Sequence, residues 1–411
     1  MAAICAKSEV MQTHPKPTRA AALEALEDFV PRAGRHYAAH RNSDHGQDDR
    51  SNVSSLSPYI RHRLITEQQV VDAVLRHHSL VDAEKFVQEV FWRTYWKGWL
   101  EMRPAVWDDY ERGVDMLLAP RTDDSWNDHY AKACEACTRY DFFNDWVNEL
   151  KETGYLHNHT RMWFASIWIF VLEIPWELGA DFFYRHLLDG DAASNTLSWR
   201  WVAGLQTVGK AYFATAENIA RFTGGRIAPD KIPMLSVPNA EDVKIYPAMP
   251  LPVVEGRATA RVGLLLTEED LHPESLGLDG FSIEAVAGVS AAAARSSLPV
   301  SKQVADFTKG AVADGLNRAA AHWSVAGQSL QRFDSETLIK WAQLHQLSAI
   351  VTAYAPVGPV ATQLARLRPE LATQGVILHQ VRRDWDSHAW PHATKGFFAF
   401  KERIPELLTR S

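Results

Sequence analysis

Residues 188–201 read LDGDAASNTLSWRW, and this stretch decides the fold assignment of the first half of the chain. Asp189 and Asp191 flank a glycine, and the small residues that follow permit close approach of another group. Asp and Asn side chains can hydrogen-bond the polar edge of a heterocycle, while indole rings offer it a stacking face. The Asp-Gly-Asp turn could also start a calcium loop, but the further acidic ligands at alternate positions are missing.

A hydroxyl-rich segment lies far upstream, at residues 54–59 (SSLSPY). It follows a polar loop and precedes an apolar-periodic segment, so it is expected at the start of a helix. Hydroxyls and free backbone N–H groups at a helix start suit a phosphate. A plain helix cap explains the same pattern, and this segment alone does not separate the two interpretations.

Residues 89–96 (EVFWRTYW) combine charge with an aromatic stripe. On a helix, Glu89, Trp92, Arg93 and Trp96 fall on one side at spacings of three and four. Such a stripe usually packs into a core. A carboxylate and a guanidinium within it are costly to bury without partners, which favours a functional site.

Residues 154–162 (GYLHNHTRM) begin a helix that then becomes wholly apolar. Asn158 and Arg161 lie three apart on it, and Arg161 needs an acidic partner in a buried setting. His157 and His159 are two apart and cannot share a helical face, so they do not predict a metal pair.

Two domains are expected from 411 residues, and the pattern of apolar residues changes between them. From about Pro17 to Phe222 apolar residues recur at three and four, so an all-helical domain is predicted. Residues 223–225 (TGG) predict a helix stop. Six prolines between Arg226 and Ala258 predict an extended linker.

After this linker, short β-branched apolar segments alternate with helical ones, which predicts a parallel sheet covered on both faces. The fold class is therefore multi-domain, α plus α/β, with a C-terminal Rossmann-like parallel-sheet domain. The strands are predicted at residues 261–267, 283–289, 349–353 and 376–381, and the helices between them at 304–323, 335–346 and 360–371. The predicted divisions are a flexible N-terminus (1–17), a helical domain (18–225), the linker (226–258) and the α/β domain (259–411).

Together, the four polar segments resemble the FAD-binding helical domain of photolyases and cryptochromes. That domain carries, in this order, a T-S-x-L-S-like loop, E-x-x-W-R, G-W-x-H-N-x-x-R-M and D-G-D-x-x-x-N-x-x-x-W-x-W. The order and approximate spacing are kept here from roughly Thr18 to Phe222. The resemblance implies a flavoprotein with FAD as its cofactor.

The resemblance also implies roles for the matching residues. Asp189 and Asp191 would face the N3 and O4 edge of the flavin, with Arg161 paired to Asp189, and Asn195 would face N5. The serine loop and Arg93 would hold the FAD phosphates, although Ser55 stands where the family has Arg. The full set implied for cofactor binding is Tyr37, Ser54, Ser55, Leu56, Ser57, Arg93, Asn158, Arg161, Asp189, Asp191 and Asn195.

Two further sets follow from the same resemblance. Trp199 and Trp176 match the first two members of the family's electron-transfer chain, and Trp126 is the expected third. The groups that match the contacts to a cyclobutane pyrimidine dimer are Glu89, Trp92, Asn195 and Trp201.

Several features depart from the family. The family's T-G-Y-P-x-V-D segment is TRYDFFN at residues 138–144, and N-N-G-G-W is SNTLSW at residues 194–199. Photolyases begin with the α/β antenna domain, so the order here is reversed, and a permutation is expected. Residues 375–378 and 395–400 resemble that antenna domain, but residues 262–270 lack its W-F-R-x-D-L-R signature. An antenna pigment is therefore compatible with the sequence but unsupported.

Three functions remain open. The first is light-driven repair, in which reduced FAD donates an electron to a pyrimidine dimer in damaged DNA. The second is a cryptochrome-like blue-light photoreceptor without repair activity, which the net charge of -7 and the shortened DNA-facing segments favour. The third is a redox flavoprotein on a reused scaffold.

Composition restricts the remaining classes. Three cysteines exclude a disulfide framework and a self-contained four-Cys iron–sulfur site. The longest apolar stretch, residues 162–172, is too short to cross a bilayer, and no signal-peptide pattern is present. A cytoplasmic protein without a metal site is expected.

Overall fold

The computed structural model describes residues 15–120, 124–207, 209–233, 244–254 and 261–410. The first half is helical, as predicted. Its helices are α1 (Arg19–Phe29), α2 (Arg35–His40), α3 (Ser57–Arg61), α4 (Glu67–His77), α5 (Leu80–Glu101), α6 (Ala105–Leu118), α7 (Asp124–Cys134), α8 (Asp141–Thr153), α9 (Asn158–Phe170), α10 (Trp176–His186), α11 (Ala192–Val202) and α12 (Ala216–Phe222).

Side-chain caps explain where several of these helices begin. Thr66 and Gln69 form a reciprocal capping box at α4, and Asp191 accepts from the Ser194 N–H at α11. The predicted helix stop is confirmed, since α12 ends at Phe222 and Gly224 and Gly225 follow with positive φ.

The second half holds a five-stranded, all-parallel sheet of order β3-β2-β1-β4-β5. This order is typical of doubly wound folds and confirms the predicted Rossmann-like class. Its elements are β1 (Arg261–Leu266), β2 (Ser282–Gly288), α13 (Lys302–Trp323), β3 (Gly327–Ser329), α14 (Ser335–Leu344), β4 (Ala349–Ala353), α15 (Pro359–Thr373), β5 (Ile377–Val381), α16 (Asp384–Ala389), α17 (Phe397–Lys401) and α18 (Ile404–Arg410). The unpredicted strand β3 has three exposed, non-β-branched residues, which leaves no apolar signal.

The two faces of the sheet belong to different cores. Val262, Leu264 and Val286 pack with α13 in a core that continues into the helical half. Leu265 and Ile350 face the other way, into a core closed by α14 and α15. The predicted covering of both sheet faces is therefore present, and the helical half lies against one of them.

Buried ion pairs join the two halves. Residues 267–270 (TEED) follow β1 and are all buried. Arg61 pairs with Glu269 (Nη2–Oε1, 2.7 Å), and Arg63 reaches Asp386 (Nη2–Oδ1, 2.7 Å). Because an unpaired buried charge is strongly destabilising, these pairs hold the two halves in one mutual position.

Parts of the predicted terminus and linker, residues 1–14, 234–243 and 255–260, lie outside the described residues. Residues 244–254 have no regular structure and run along the end of α5, where the Met249 N–H donates to the Met102 carbonyl (2.8 Å). In the part of the chain that the structure describes, no helix is both long and apolar enough to cross a membrane.

Candidate flavin site

A buried acidic rim lies between α10 and α11. Asp189 and Asp191 belong to the connecting loop, and Asn195 lies in the first turns of α11. All three are buried. The Asn195 Nδ2 donates to the Ala180 carbonyl (2.7 Å), which fixes the amide and leaves its oxygen as an acceptor. The structure thus brings together the three side chains on which the sequence interpretation depends.

Two arginines keep this rim charged. Arg161 donates to Asp189 (Nη2–Oδ2, 3.0 Å), as the resemblance implies, and Arg93 pairs with Asp191. Burial opposes ionisation of Asp189, but the charges of Arg161 and Arg93 outweigh it, so the pKa of Asp189 is lowered. The pKa of Asp191 is lowered in the same way, with Arg93 and Lys97 outweighing burial. Both acids are therefore hydrogen-bond acceptors at neutral pH.

The rim contains buried polar atoms that lack a hydrogen-bond partner in the described part of the chain, as is typical of a ligand-binding site. Asp189 Oδ1, Ser194 Oγ and Thr196 Oγ1 are buried and have no hydrogen-bond partner of ordinary geometry among the described residues. An unsatisfied buried acceptor costs about 1–3 kcal/mol. A heterocycle with an N–H edge, such as the isoalloxazine ring of FAD, would satisfy Asp189. The residues present therefore fit FAD.

The serine loop reaches the same place. Leu56 is buried, and Ser57 starts α3, where its hydroxyl helps to lower the pKa of Asp189. Ser55 is exposed with a left-handed backbone (φ 52°), and the Ser54 Oγ accepts from the Leu56 N–H (3.4 Å). The assignment of this loop to the FAD phosphates stays a prediction.

Tyr37 is buried on α2, and one turn later Arg41 forms an ion pair with Glu89 of α5. Burial raises the pKa of Glu89, and Arg41 only partly offsets this. Sequence reasoning missed Arg41, although its place four residues after Tyr37 on a predicted helix was the available signal.

Lys97 is a second residue that the sequence analysis did not single out. It lies one turn after Arg93 on α5 and is buried, and its Nζ has no hydrogen-bond partner in the described ranges. Burial and Arg63 lower the pKa of Lys97, although Glu67 and Asp191 oppose them. It adds a positive charge behind the rim.

Asn158, which was predicted to bind the cofactor, lies at the protein surface. It is the first residue of α9 and is exposed, whereas Arg161, on the next turn, reaches the rim. The structure does not bring the Asn158 side chain to the buried acids.

The side chains assigned to lesion contact are engaged within the chain. Trp92 stacks on Phe397 of α17, with ring centroids 3.7 Å apart, and Glu89 is held by Arg41. Trp201 stacks on Tyr212 at 5.6 Å.

The tryptophans assigned to electron transfer lie apart from one another. Trp199 is buried between Phe183 and Trp168, while Trp176 lies half-buried with the Arg200 guanidinium 5.7 Å from its ring centroid. Trp126 is half-buried on α7. Among the described aromatic contacts, none joins these three rings directly.

Comparison with known proteins supports the flavin assignment. A family model described as the FAD binding domain of DNA photolyase matches residues 86–224. A deoxyribodipyrimidine photo-lyase of Vibrio cholerae is 29% identical over 170 residues, covering 40% of this chain and 35% of that protein. A cryptochrome DASH of Idiomarina loihiensis is 25% identical over 192 residues, covering 45% and 41%.

A solved bacterial class III photolyase from Agrobacterium tumefaciens is 27% identical, with a TM-score of 0.42 and coverage of 50% of this chain and 43% of that one. The matched segment thus spans well under half of each relative. It includes the acidic rim, Arg93 and the tryptophans of α10 and α11. Residues 86–224, within the helical half of this chain, therefore match the photolyase family of FAD-binding domains.

Proposed function

We propose that this chain is a light-dependent flavoprotein that splits pyrimidine dimers in damaged DNA. The observation that carries the proposal is the buried rim of Asp189, Asp191 and Asn195, in which Arg161 and Arg93 keep both acids ionised. It lies in a domain whose relatives are deoxyribodipyrimidine photo-lyases. When bound and reduced, FAD supplies the light-driven electron that opens the dimer; the protein supplies position and electrostatics.

The chain's own residues would hold the cofactor as follows. Asp189 accepts from the flavin N–H edge, and Arg161 keeps that carboxylate ionised. Asn195 offers its oxygen toward N5, because its Nδ2 is already bound to Ala180. Arg93 and the loop of residues 54–57 face the phosphates.

Lesion recognition would use Glu89, Trp92 and Trp201. A dimer turned out of the DNA duplex would displace the present partners of these side chains, among them Arg41 and Phe397. Glu89 then hydrogen-bonds the lesion, and the two indoles stack on it. Weakened base pairing at the damage lowers the energy needed to turn it out.

A second candidate function is a blue-light photoreceptor without repair activity. The Trp92–Phe397 stack favours it, because the C-terminal helix α17 covers one of the surfaces that a lesion would need. A net charge of -7 also favours a partner other than DNA. In that case light-driven change of the flavin would be transmitted to a protein partner.

The domain order also belongs to the proposal. The helical half precedes the α/β half here, and we infer that this arose by permutation of the family's order. An antenna pigment remains unsupported, because the segment after β1 is committed to buried ion pairs with Arg61 and Arg63.

In the deciding experiment, purified protein is loaded with FAD, reduced and mixed with an oligonucleotide that contains one cyclobutane dimer. The mixture is then illuminated. Repair predicts that undamaged product accumulates in light and not in darkness, as measured by chromatography. Absence of product from protein that retains FAD overturns repair and leaves the photoreceptor function. Protein that stays colourless with added FAD overturns both.

Glu89→Gln is the matching variant, because it removes the charge that would hold the lesion. We expect repair to fall roughly tenfold or more, with FAD content unchanged. Glu84 lies on the same helix, and the polar partners of its partly exposed side chain in the described part of the chain are Lys85, Gln88 and Lys401, so Glu84→Gln serves as the control. This control should repair at the wild-type rate; equal losses in both variants would contradict the role of Glu89.

A further inference from the structure

We propose that electrons reach the flavin through Trp168 and Tyr130, which join Trp199 to the half-buried Trp126. The inference rests on FAD binding beside Asn195 and Trp199, as proposed above. Neither Trp168 nor Tyr130 belongs to the motifs that indicated the family. The four rings come from three helices, α7, α9 and α11.

The four rings form an unbroken series. The ring centroids of Trp199 and Trp168 are 6.2 Å apart and meet edge to face. Trp168 and Tyr130 follow at 6.1 Å, again edge to face. Tyr130 and Trp126 are stacked at 5.8 Å. Electron tunnelling weakens steeply with the gap between donor and acceptor, so rings in contact give the short steps that a fast transfer needs.

Gly179 allows the contact between Trp199 and Trp168, the two inner rings of the series. Gly179 lies inside α10, where glycine costs roughly 0.5–1 kcal/mol relative to alanine. A Cβ at this position would lie 2.3 Å from Trp199 Cη2 and 2.9 Å from Trp168 Nε1. The missing side chain is therefore what lets the two indoles meet against α10.

The surroundings of the rings favour this path over Trp176. The Arg200 guanidinium lies 5.7 Å from the Trp176 ring centroid, and a neighbouring positive charge disfavours a second positive charge on that ring. Trp168 instead packs against Phe164 and Phe182, and its Nε1 donates to the Pro175 carbonyl (3.1 Å). A carbonyl dipole at this N–H stabilises an oxidised indole.

Each step moves one electron inward and one positive charge outward. Trp199 gives an electron to the light-excited oxidised flavin, and Trp168 then reduces the oxidised Trp199. Trp126 reduces Trp168 across the Tyr130 ring, whose phenolic proton stays in place. Oxidised Trp126, at the protein surface, is returned to its starting state by one electron from a thiol reductant in solution.

The test compares photoreduction of FAD-loaded protein in blue light with dithiothreitol, following loss of the oxidised flavin absorbance. Trp168→Phe is expected to slow photoreduction roughly tenfold or more, and to slow it more than Trp176→Phe does. Tyr130→Leu removes the bridging ring and should slow it too. Trp146→Phe is the matched control, because Trp146 is equally buried but outside the series, and it should keep the wild-type rate.

The outcomes separate the two proposals. If Trp168→Phe retains FAD and photoreduces as fast as wild type, or if only Trp176→Phe is slow, the series is overturned and the flavoprotein function stands. If the wild-type chain binds no FAD, both are overturned.

A measurement on FAD-free protein checks the contact itself. Edge-to-face indoles couple in near-ultraviolet circular dichroism, so Trp168→Phe and Trp199→Phe should remove the same band. The loss in the double variant should be smaller than the sum of the two single losses. Strictly additive losses would show that the two rings do not touch and would overturn the series.

Discussion

At the scale of single residues, the site depends on carboxylates that stay ionised although they are buried. A buried charge is tolerated only with partners, and here each acid has its own arginine, Arg161 for Asp189 and Arg93 for Asp191. Arg161 uses one oxygen of Asp189, and the other has no hydrogen-bond partner of ordinary geometry among the described residues. Under the proposed function, that remaining oxygen would accept from the N–H edge of the flavin.

Asp189→Asn is expected to weaken FAD binding by at least roughly tenfold, on the order of 1–3 kcal/mol, because the ligand loses a charged acceptor and Arg161 loses its partner. Titration of the apoprotein with FAD, followed by flavin fluorescence, measures the dissociation constant.

Asp181→Asn controls for breaking a buried ion pair as such. Asp181 pairs with Arg185 within α10 (Oδ2–Nε, 2.7 Å) and not with an arginine of the rim. The Asp181→Asn substitution should reduce the stability of the protein without changing the FAD dissociation constant. Equal losses of affinity in the two variants would mean that Asp189 acts only through the stability of the fold.

The residue types of this rim were predictable from sequence, whereas their partners were only partly so. Arg161 was matched to Asp189 through the family pattern. Arg41 and Lys97 were missed, because a positive side chain on a helix is usually solvent-exposed and only packing shows that it is buried.

At the scale of secondary-structure elements, α5 is the helix on which the site and the C-terminal segment meet. One side carries Arg93 toward the rim, and another carries Trp92 onto α17. The aromatic stripe was predicted, but its stacking partner lies about 300 residues away in the sequence. A local sequence pattern cannot predict a contact between residues so far apart in the chain.

Phe397→Ala should destabilise the protein by about 3–5 kcal/mol, since it removes a buried ring that stacks on Trp92 and contacts Tyr95 and Phe400. Phe398 is the adjacent residue on α17 and is 80% exposed. Phe398→Ala should change stability by less than about 0.5 kcal/mol. Urea unfolding of both variants gives the comparison, and similar losses in the two would contradict the packing of α17 on α5.

Helix α5 ends at Glu101, a buried acid at the contact between the two halves. Glu101 accepts from the Tyr354 hydroxyl (Oε2, 2.6 Å) and from the Val357 N–H (Oε1, 2.5 Å) of the α/β half. Burial outweighs these hydrogen bonds and raises the pKa of Glu101 to about 7. At the scale of the whole molecule, we therefore expect the contact between the halves to depend on pH.

The sign follows from proton binding. Between the unfolded pKa of about 4.5 and the folded value of about 7, the folded state holds more protons on Glu101 than the unfolded state does. Its contribution to stability is thus fully present below this window and is lost as the pH rises through it. The change is on the order of 3 kcal/mol.

Glu101→Gln should remove this part of the pH dependence, because the amide resembles the protonated carboxyl group and does not titrate. Unfolding free energies measured from pH 5 to pH 8 for wild type and variant test this. A constant difference between the two curves across that range would show that Glu101 does not titrate in the window.

The sequence by itself determined the two halves, their order, the helix stop at residues 223–225 and most strands to within one residue. These features depend on local periodicity and backbone preference, which neighbouring residues encode. It also indicated the acids that we propose for flavin binding, because their motifs lie within short segments.

Only the tertiary structure decided which distant side chains meet: Trp92 with Phe397, Arg61 with Glu269, and Trp168 with Tyr130 and Trp199. These contacts depend on how whole helices pack against one another and against the sheet. Packing is set by the combined burial of many residues, so no single segment of the sequence contains it.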